Sequence, residues 1–203
     1  MPSAIVLAGG QSRRLGRDKA STIVAGKTLL QHVIDRVSPL VDEVIVVTRP
    51  GQILPPVTEG SMYAGDVKLV LAEDVFPGKG PLGGLYSGLA AASVFPAVVV
   101  ACDMPLLQPA LIEELLRLAP GFDAVVPVHL GRPEPLCAVY ATSCLDAIQA
   151  RIDRADLKLS ALPDDLHTCY VAEADWRRLD PDGLSFFNLN TPDDLARAEA
   201  LLG

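Results

Sequence analysis

The pattern of hydrophobic and polar positions predicts strands and helices that follow one another in alternation along the chain. Uninterrupted apolar runs at 4–8, 44–47 and 97–102 are typical of strands covered on both faces of a sheet. Further strands are predicted at 67–71 and 123–128. Between the strands, apolar residues recur at helical spacing, as in 28–37 and 110–118. This order predicts an α/β fold with a mainly parallel central sheet and helices on both of its faces.

The last third of the chain is less regular. Strands are expected at 135–140 and 167–172, a helix at 143–151, a short helix at 157–162 and an extended segment at 185–188. Thr191-Pro192-Asp193-Asp194 predicts the start of a final helix, because it combines a capping hydroxyl, a proline in the first turn and carboxylates at the positive end of the helix. Residues 49–66, rich in proline and glycine, predict an irregular loop.

A glycine-rich segment follows the first predicted strand. Gly9-Gly10 ends the apolar run, and a further glycine, three arginines and Lys19 lie within the next ten residues. Glycine lets backbone N–H groups approach an anion closely, and the cations supply the charge that a triphosphate needs. The segment has neither the GxxxxGK[ST] nor the GxGxxG pattern. It predicts a phosphate-binding loop in which Lys19 and Arg14 contact phosphate.

Two other motifs lie at predicted strand ends. Asp74 precedes a second glycine-rich turn, 78–84, and Asp103 directly follows the most apolar strand. Ligands of parallel sheets bind beyond the carboxyl ends of the strands, so these motifs and the first loop are expected at one edge. Mg²⁺ needs only one or two carboxylates plus substrate phosphates. Asp103 is therefore the predicted metal ligand.

Composition narrows the class of protein. With 203 residues, half of them apolar, the chain is expected to form one domain, 1–203. The net charge of −8 argues against a nucleic-acid partner. No apolar run approaches the roughly 20 residues that span a bilayer, and the first residues do not form a signal peptide. Four cysteines without CxxC spacing indicate reduced, mostly buried thiols. A soluble, cytoplasmic protein without membrane contact is expected.

The first loop resembles the LAGGxSxRxGxDK signature of the nucleotidyltransferase family that includes molybdenum cofactor guanylyltransferase. Residues 102–106 resemble its xDxPxL segment and 188–192 its NxNTP segment, so the resemblance covers nearly the whole length. It implies a Rossmann-like three-layer nucleotidyltransferase fold and an Mg²⁺ held by Asp103. The residues that it implies for binding the nucleotide are Leu7, Ala8, Gly9, Gly10, Gly16, Lys19, Asp74, Gly80, Gly84, Asp103, Asn188 and Asn190. With Arg14, Lys19 and Asp103 form the expected catalytic set.

The resemblance implies transfer of GMP from GTP to the terminal phosphate of molybdopterin, with pyrophosphate released. Residues 1–128 would bind the nucleotide and 129–203 the acceptor, with residues 131–136 similar to the family's acceptor-side loop. Transient contacts with cofactor-synthesis proteins or recipient molybdoenzymes are a further expectation. The alternatives are a cytidylyl- or sugar-phosphate nucleotidyltransferase with the same loops, and a non-catalytic protein that binds and delivers the nucleotide or pterin.

Three further expectations concern the base, the nucleophile and the pterin. Some family members carry an asparagine at the end of the second strand that contacts the nucleotide, whereas this chain has Val47-Thr48-Arg49 in that neighbourhood, so base preference is less defined than phosphate binding. The attacking phosphate is already an anion, which removes the need for a general base, and the three histidines are expected to be structural or on the surface. Arg154 and Lys158 are the candidates for binding the phosphate of the pterin.

Overall fold

A central sheet organises the computed structural model, which describes residues 2–9, 18–57 and 67–203. The strands are β1 (Ser3–Leu7), β2 (Ile23–Val24), β3 (Lys27–Thr28), β4 (Glu43–Thr48), β5 (Lys68–Glu73), β6 (Ala97–Ala101), β7 (Ala124–His129), β8 (Arg132–Pro133), β9 (Cys137–Tyr140) and β10 (Thr168–Val171). The α-helices are α1 (Leu29–Val37), α2 (Gly80–Ala91), α3 (Pro109–Leu118), α4 (Cys144–Asp153), α5 (Glu173–Trp176) and α6 (Pro192–Leu202).

The main sheet has the strand order β10-β7-β9-β6-β1-β4-β5, and β8 pairs with β7 beside this path. Neighbouring strands are parallel except β9, which runs antiparallel to β6 and β7, and β8, which runs antiparallel to β7. The apolar residues of the central strands β1, β4 and β6 are buried, apart from the partly exposed Leu7, as continuous apolar runs predict. The predicted α/β fold with a mainly parallel sheet is confirmed.

Helices cover both faces of the sheet. On one face, α1 and α3 pack on alternate strand residues such as Val6, Val46 and Val100. On the other face, α2 and α4 pack on the residues between them, such as Ile5 and Val99. A third apolar cluster joins β2, α1 and α6 through Val24, Leu29, Leu189 and Ala198. Residues from opposite ends of the chain thus share one small core.

Glycines let α2 approach the sheet closely. A Cβ at Gly88 would lie 2.3 Å from Cγ2 of Ile5, and a Cβ at Gly83 would lie 2.8 Å from the backbone oxygen of Phe76. Both distances are shorter than real Cβ contacts allow, so these positions admit only glycine unless the helix moves. The small residues of α2 therefore fix the distance of its first turns from β1.

Capping interactions fix the predicted helix starts. The Thr28 hydroxyl accepts a hydrogen bond from the Gln31 N–H at the start of α1. Thr191 and Asp194 form a reciprocal capping box at the start of α6, as the sequence predicts. The extended segment predicted at 185–188 is wrong in part, because Leu184–Phe186 form a 3-10 helix. The buried carboxylate of Asp180 accepts hydrogen bonds from the N–H groups of Leu184 and Ser185, which turns the chain there.

Some boundaries and small elements differ from expectation. The short helix predicted at 157–162 is the 3-10 helix Leu159–Asp165. The hairpin β2–β3 and the one-turn helix α5 were not predicted, because neither is long enough to show a periodic pattern. The four cysteines are free thiols, three of them buried. Within the described ranges, no helix combines the length and apolar character that crossing a bilayer requires.

Candidate active site

A cavity of about 680 Å³ lies at the carboxyl edge of the parallel strands. Its size suits a ligand as large as a nucleotide. Its lining comes from the ends of β1, β4, β5 and β6, from the start of α2 and from two later segments. The lining residues are Leu7, Gly9, Lys19, Val47, Thr48, Arg49, Asp74, Gly78, Gly80, Pro81, Gly84, Ala101, Cys102, Asp103, Leu136 and Asn188. The strand-end motifs of the sequence therefore converge on one cavity, as predicted.

Lys19 joins three distant segments at this edge. Its Nζ lies 2.5 Å from Oδ2 of Asp103 and 2.7 Å from Oδ1 of Asn190, residues 84 and 171 positions away. The side chains of Lys19 and Asp103 are only 13% and 15% exposed. Because the pair is largely removed from water, its charges act on a ligand with little solvent screening.

The local backbone fixes the position of Lys19. The 3-10 helix Lys19–Ser21 begins at Asp18, whose Oδ1 accepts a hydrogen bond from the Ala20 N–H. Asp18 is thus the cap of the turn that carries the lysine. The hydrogen bond from the Ala20 N–H to Asp18 fixes the turn that presents Lys19 to the cavity.

Asp103 extends from the end of β6 into the cavity. Its backbone oxygen accepts a hydrogen bond from the Leu189 N–H, at 2.9 Å, which holds the C-terminal segment against the strand end. Within the described residues, no three His, Cys, Asp or Glu side chains form a closed metal site. A single carboxylate on the wall of a cavity of nucleotide size is nevertheless a donor that fits Mg²⁺, which takes its other ligands from phosphate and water.

The C-terminal segment supplies two asparagines. Asn188 lines the cavity, whereas Asn190 reaches it through Lys19. The N–H of Asn190 donates to Oδ2 of Asp194, the same carboxylate that closes the capping box of α6. The start of α6 therefore also orients the asparagine that contacts Lys19.

Asp74 and the second glycine loop form the opposite wall. Oδ1 of Asp74 accepts hydrogen bonds from the Phe76 N–H and from the Ser87 hydroxyl of α2. Gly80 begins α2 with a φ of +65°, a conformation that glycine adopts without strain. Gly84 packs against Leu7, with 3.4 Å between its would-be Cβ and Cδ2 of that leucine. Asp74 thus fixes the turn that presents the first residues of α2 to the cavity.

The end of β4 contributes a wall that the sequence did not assign to the site. Thr48 and Arg49 line the cavity, and a Cβ at Gly9 would lie 3.2 Å from Cγ of Arg49. Nε of Arg49 is buried and has no hydrogen-bond partner in the part of the chain that is described. The signal available in the sequence was the position of these residues at the end of a predicted strand.

The cysteine beside the cavity and the histidines are unsuited to act as a nucleophile or a general base. Burial, together with the charge of Asp103, raises the pKa of the Cys102 thiol well above its usual range, so the thiol stays protonated. None of the three histidines is among the residues that line the cavity. His32 is buried with Nε2 at 2.8 Å from the Val24 oxygen, and His129 stacks on Phe186. These contacts are structural, in line with the sequence-based expectation.

Most predicted site residues lie at the cavity. Those that line it are Leu7, Gly9, Lys19, Asp74, Gly80, Gly84, Asp103 and Asn188. Ala8 and Asn190 are adjacent to lining residues, and Gly10, Arg14 and Gly16 lie outside the described residues. Arg154 and Lys158 are exposed and do not line the cavity, so their assignment to the pterin phosphate stays a prediction.

Comparison with known proteins identifies the family of the chain. The MobA-like NTP transferase domain matches residues 4–167. The chain is 35% identical to a molybdenum cofactor guanylyltransferase of Desulfosudis oleivorans, over 98% of this chain and 95% of that protein. It is 36% identical to a probable molybdenum cofactor guanylyltransferase of Chloroflexus aggregans, over 100% of this chain and 96% of the relative.

Solved structures share the fold. Molybdopterin-guanine dinucleotide biosynthesis protein A from Archaeoglobus fulgidus superposes with a TM-score of 0.77 at 31% identity, covering 98% of this chain and 97% of that one. A 2-C-methyl-D-erythritol 4-phosphate cytidylyltransferase from Thermus thermophilus has a TM-score of 0.70 at 23% identity, covering 100% and 99%. The latter likeness concerns the fold alone. The chain therefore belongs to the MobA-like NTP transferase family, alongside the molybdenum cofactor guanylyltransferases, and is a nucleotidyltransferase.

Proposed function

We propose that this nucleotidyltransferase moves GMP from GTP to the terminal phosphate of molybdopterin, giving the guanine dinucleotide cofactor and pyrophosphate. The observation that carries the proposal is the Lys19–Asp103–Asn190 cluster beside the cavity. It brings one cation, one carboxylate and one amide together where the first glycine loop returns to the fold. Guanine and molybdopterin are proposed on the basis of the names of the relatives, which are molybdenum cofactor guanylyltransferases and a molybdopterin-guanine dinucleotide biosynthesis protein.

Charge neutralisation is the chemistry that these residues would perform. Attack by an acceptor phosphate oxygen on the α-phosphorus of GTP forms a new P–O bond, and the bond to pyrophosphate breaks. Negative charge accumulates on the phosphate oxygens, where Lys19 would stabilise it. The nucleophile is already ionised, which agrees with a cavity lined by no histidine. The chain's contribution is then positioning and electrostatics rather than proton transfer.

Asp103 would hold the Mg²⁺ that this chemistry uses. When bound, the metal ion would screen charge on the nucleotide phosphates and orient them. Lys19 contacts Oδ2 of Asp103, so the lysine fixes the carboxylate and partly neutralises it. Arg14 is proposed as a second phosphate contact on the basis of its place in the sequence signature.

The acceptor is proposed to enter from the side formed by residues 129–203. Leu136 and Asn188, both from this part of the chain, line the same cavity as the glycine loops. The helix α4 follows β9 and ends at Asp153, directly before Arg154. Arg154 and Lys158 are exposed cations of this part of the chain, which supports them as phosphate contacts of the pterin beyond the cavity itself.

Pyrophosphate release tests the proposal. The protein is incubated with Mg²⁺, with and without molybdopterin, and with GTP, CTP or UTP in parallel. We expect release with GTP alone, dependent on the pterin and abolished by chelation of the metal. Mass spectrometry of the product should find molybdopterin carrying one GMP.

Other outcomes would redirect the assignment. A preference for CTP would retain the chemistry but assign the protein to cytidylyl transfer. Release with GTP and a sugar phosphate, but none with the pterin, would reject molybdopterin as the acceptor. Binding of GTP without any release would contradict the catalytic assignment altogether.

A further inference from the structure

The first two parallel strands separate at the cavity, and a side chain bridges them. The Ala8 N–H donates to the Val47 oxygen at 2.8 Å, continuing the β1–β4 ladder. The next bond of a parallel ladder would join the Ala8 oxygen to the Arg49 N–H. Instead, Nε2 of Gln52 donates to the Ala8 oxygen at 3.0 Å, and Oε1 of Gln52 accepts from the Arg49 N–H at 3.0 Å. The Gln52 amide thus replaces one peptide unit of the ladder.

The same amide reaches the far end of the first glycine loop. Nε2 of Gln52 also donates to Oδ2 of Asp18, at 2.7 Å. Asp18 caps the turn that carries Lys19 through its other oxygen, Oδ1. Ala8 lies where the chain leaves β1, and Asp18 lies where it returns to the fold. A single amide group therefore links both ends of the loop 9–18.

Arg49 completes the group. Its Nη2 lies 3.7 Å from Oδ2 of Asp18, and Cγ lies against Gly9. The turn that presents Gln52 is closed by a hydrogen bond from the Gln52 N–H to the Arg49 oxygen and is held by the Gly51 N–H on the Glu73 carboxylate. The turn that carries Gln52 is therefore held by the backbone of Arg49, just after β4, and by the side chain of Glu73 at the end of β5.

We propose that Gln52 is a positioning residue for the nucleotide: its amide holds the two ends of the first glycine loop at the separation that binding the triphosphate requires. It acts through Ala8 and Asp18 rather than by touching the substrate. The inference rests on the proposed function insofar as the loop is taken to bind a nucleoside triphosphate.

The physical consequence concerns binding more than turnover. Without the amide, the Ala8 oxygen and the Asp18 carboxylate lose a shared donor, and the loop ends are free to separate. Binding a nucleotide must then order them again, which weakens affinity. Two or three net hydrogen bonds correspond to roughly a tenfold change in Kd. The hydrogen bonds of the Gln52 amide involve neither Arg154 nor Lys158, the residues proposed to contact the pterin.

The experiment measures GTP binding by titration calorimetry without acceptor, together with KM values in turnover. In Gln52→Ala we expect the Kd and KM for GTP to rise about tenfold, while the KM for molybdopterin changes less than twofold. The melting temperature should stay near that of the wild type. Gln149→Ala is the matched control, because Nε2 of Gln149 also donates to a carboxylate, Oδ1 of Asp153, on the exposed side of α4. It should bind GTP as the wild type does.

A paired charge change tests the contact with Asp18 directly. Gln52→Glu places an acceptor against the Ala8 oxygen and the Asp18 carboxylate, and should weaken GTP binding more than Gln52→Ala. Adding Asp18→Asn supplies an N–H to the new carboxylate, and should recover part of the loss. If Gln52→Ala fails to fold, this comparison still tests whether the contact between residues 52 and 18 affects GTP binding.

Two results would overturn the inference: GTP binding by a folded Gln52→Ala within twofold of wild type, or no recovery in the Gln52→Glu, Asp18→Asn pair. Neither coincides with failure of the proposed function, which would appear in the wild type as GTP binding without pyrophosphate release. If the wild type prefers another triphosphate, the same comparison is made with that nucleotide.

Discussion

Lys19 is the residue at which three parts of the chain meet, and its ammonium is the most central cation of the described site. It contacts Asp103 at the end of β6 and Asn190 before α6, in surroundings largely closed to water. Removing it takes the ion-pair partner from the Asp103 carboxylate and one cation from the proposed triphosphate site. In Lys19→Ala we expect pyrophosphate release to fall by about 10²–10³-fold.

A matched lysine separates this effect from a general charge effect. Lys27 forms an exposed ion pair with Asp35 at 2.6 Å, away from the cavity. Lys27→Ala changes the net charge equally and should retain near-wild-type turnover. Equal activity of the two variants, with both folded by circular dichroism, would show that Lys19 is not catalytic. Asp103→Ala is expected to match Lys19→Ala.

At the residue scale, the sequence predicted the location of those site residues that directly follow a strand. Asp103 follows an apolar run and Gly9 ends one, so their places on the sheet edge follow from topology. The contacts of Gln52 did not follow, because they depend on a four-residue turn, 49–52, inside a segment whose composition indicated only an irregular loop. A polar side chain that replaces a ladder hydrogen bond leaves no periodic signal.

Helix α2 brings the second glycine loop to the cavity, and its packing is set by glycine. The Cβ of an alanine at position 88 would lie 2.3 Å from Cγ2 of Ile5 and 3.1 Å from Cγ2 of Val47. The helix or both strands must shift to accept it. We expect Gly88→Ala to lower the free energy of unfolding by about 1–3 kcal/mol, measured by urea denaturation.

Gly84 is the control on the same helix. A Cβ there meets Leu7 at an ordinary 3.4 Å. Alanine also favours helix by up to about 1 kcal/mol over glycine, so Gly84→Ala should keep or slightly raise stability. Because Gly84 lines the cavity, the same variant should raise the KM for GTP. Equal stability losses in the two variants would contradict this account of α2 packing.

At the element scale, helix starts were predictable where a side chain satisfies the first backbone N–H groups. Thr28 and Thr191 stand at the predicted starts of α1 and α6, and both cap those helices in the structure. The 3-10 helix Leu184–Phe186 was not predictable, since its N–H groups are satisfied by Asp180, a carboxylate that lies before the turn and is buried only in the folded chain. Local sequence cannot distinguish that arrangement from an extended loop.

At the scale of the whole molecule, the amino edge of the sheet carries a buried carboxylate that ties stability to pH. Glu43, only 2% exposed, accepts hydrogen bonds from Ser3, Lys68 and the Ser93 N–H and hydroxyl. Burial alone would raise its pKa, but these donors outweigh burial and lower the pKa from 4.5 to about 2.

The sign of the pH effect follows from the lowered pKa. The ionised Glu43 stabilises the folded state fully above the unfolded pKa, and this contribution is lost as the pH falls from about 4.5 toward 2. It amounts to roughly 3 kcal/mol at most. We expect the wild type to lose more stability between pH 6 and pH 3 than Glu43→Gln, by denaturant titration. Glu113→Gln, at an exposed site on α3, should keep the wild-type slope, and parallel slopes in all three proteins would refute the assignment.

The small core at the C-terminal segment joins the stability of the chain to the geometry of the site. Leu189 is fully buried against Val24, Leu29 and Ala198, its N–H donates to the Asp103 oxygen, and it lies between the two site asparagines. Leu189→Ala should cost about 2–5 kcal/mol by leaving a cavity. It should also lower turnover, because Asn190 and Asp103 lose their common support.

Leu115→Ala distinguishes the loss of stability from the loss of turnover. Leu115 is equally buried, in the larger core beneath α3, and does not line the cavity. It should lose stability in the same range but keep its kcat and its KM for GTP at temperatures where the protein stays folded. If the activity of both variants falls only in proportion to the fraction unfolded, Leu189 serves the core alone. A selective loss in Leu189→Ala would instead mean that the last helix is part of the catalytic architecture, since it anchors the asparagine that contacts Lys19.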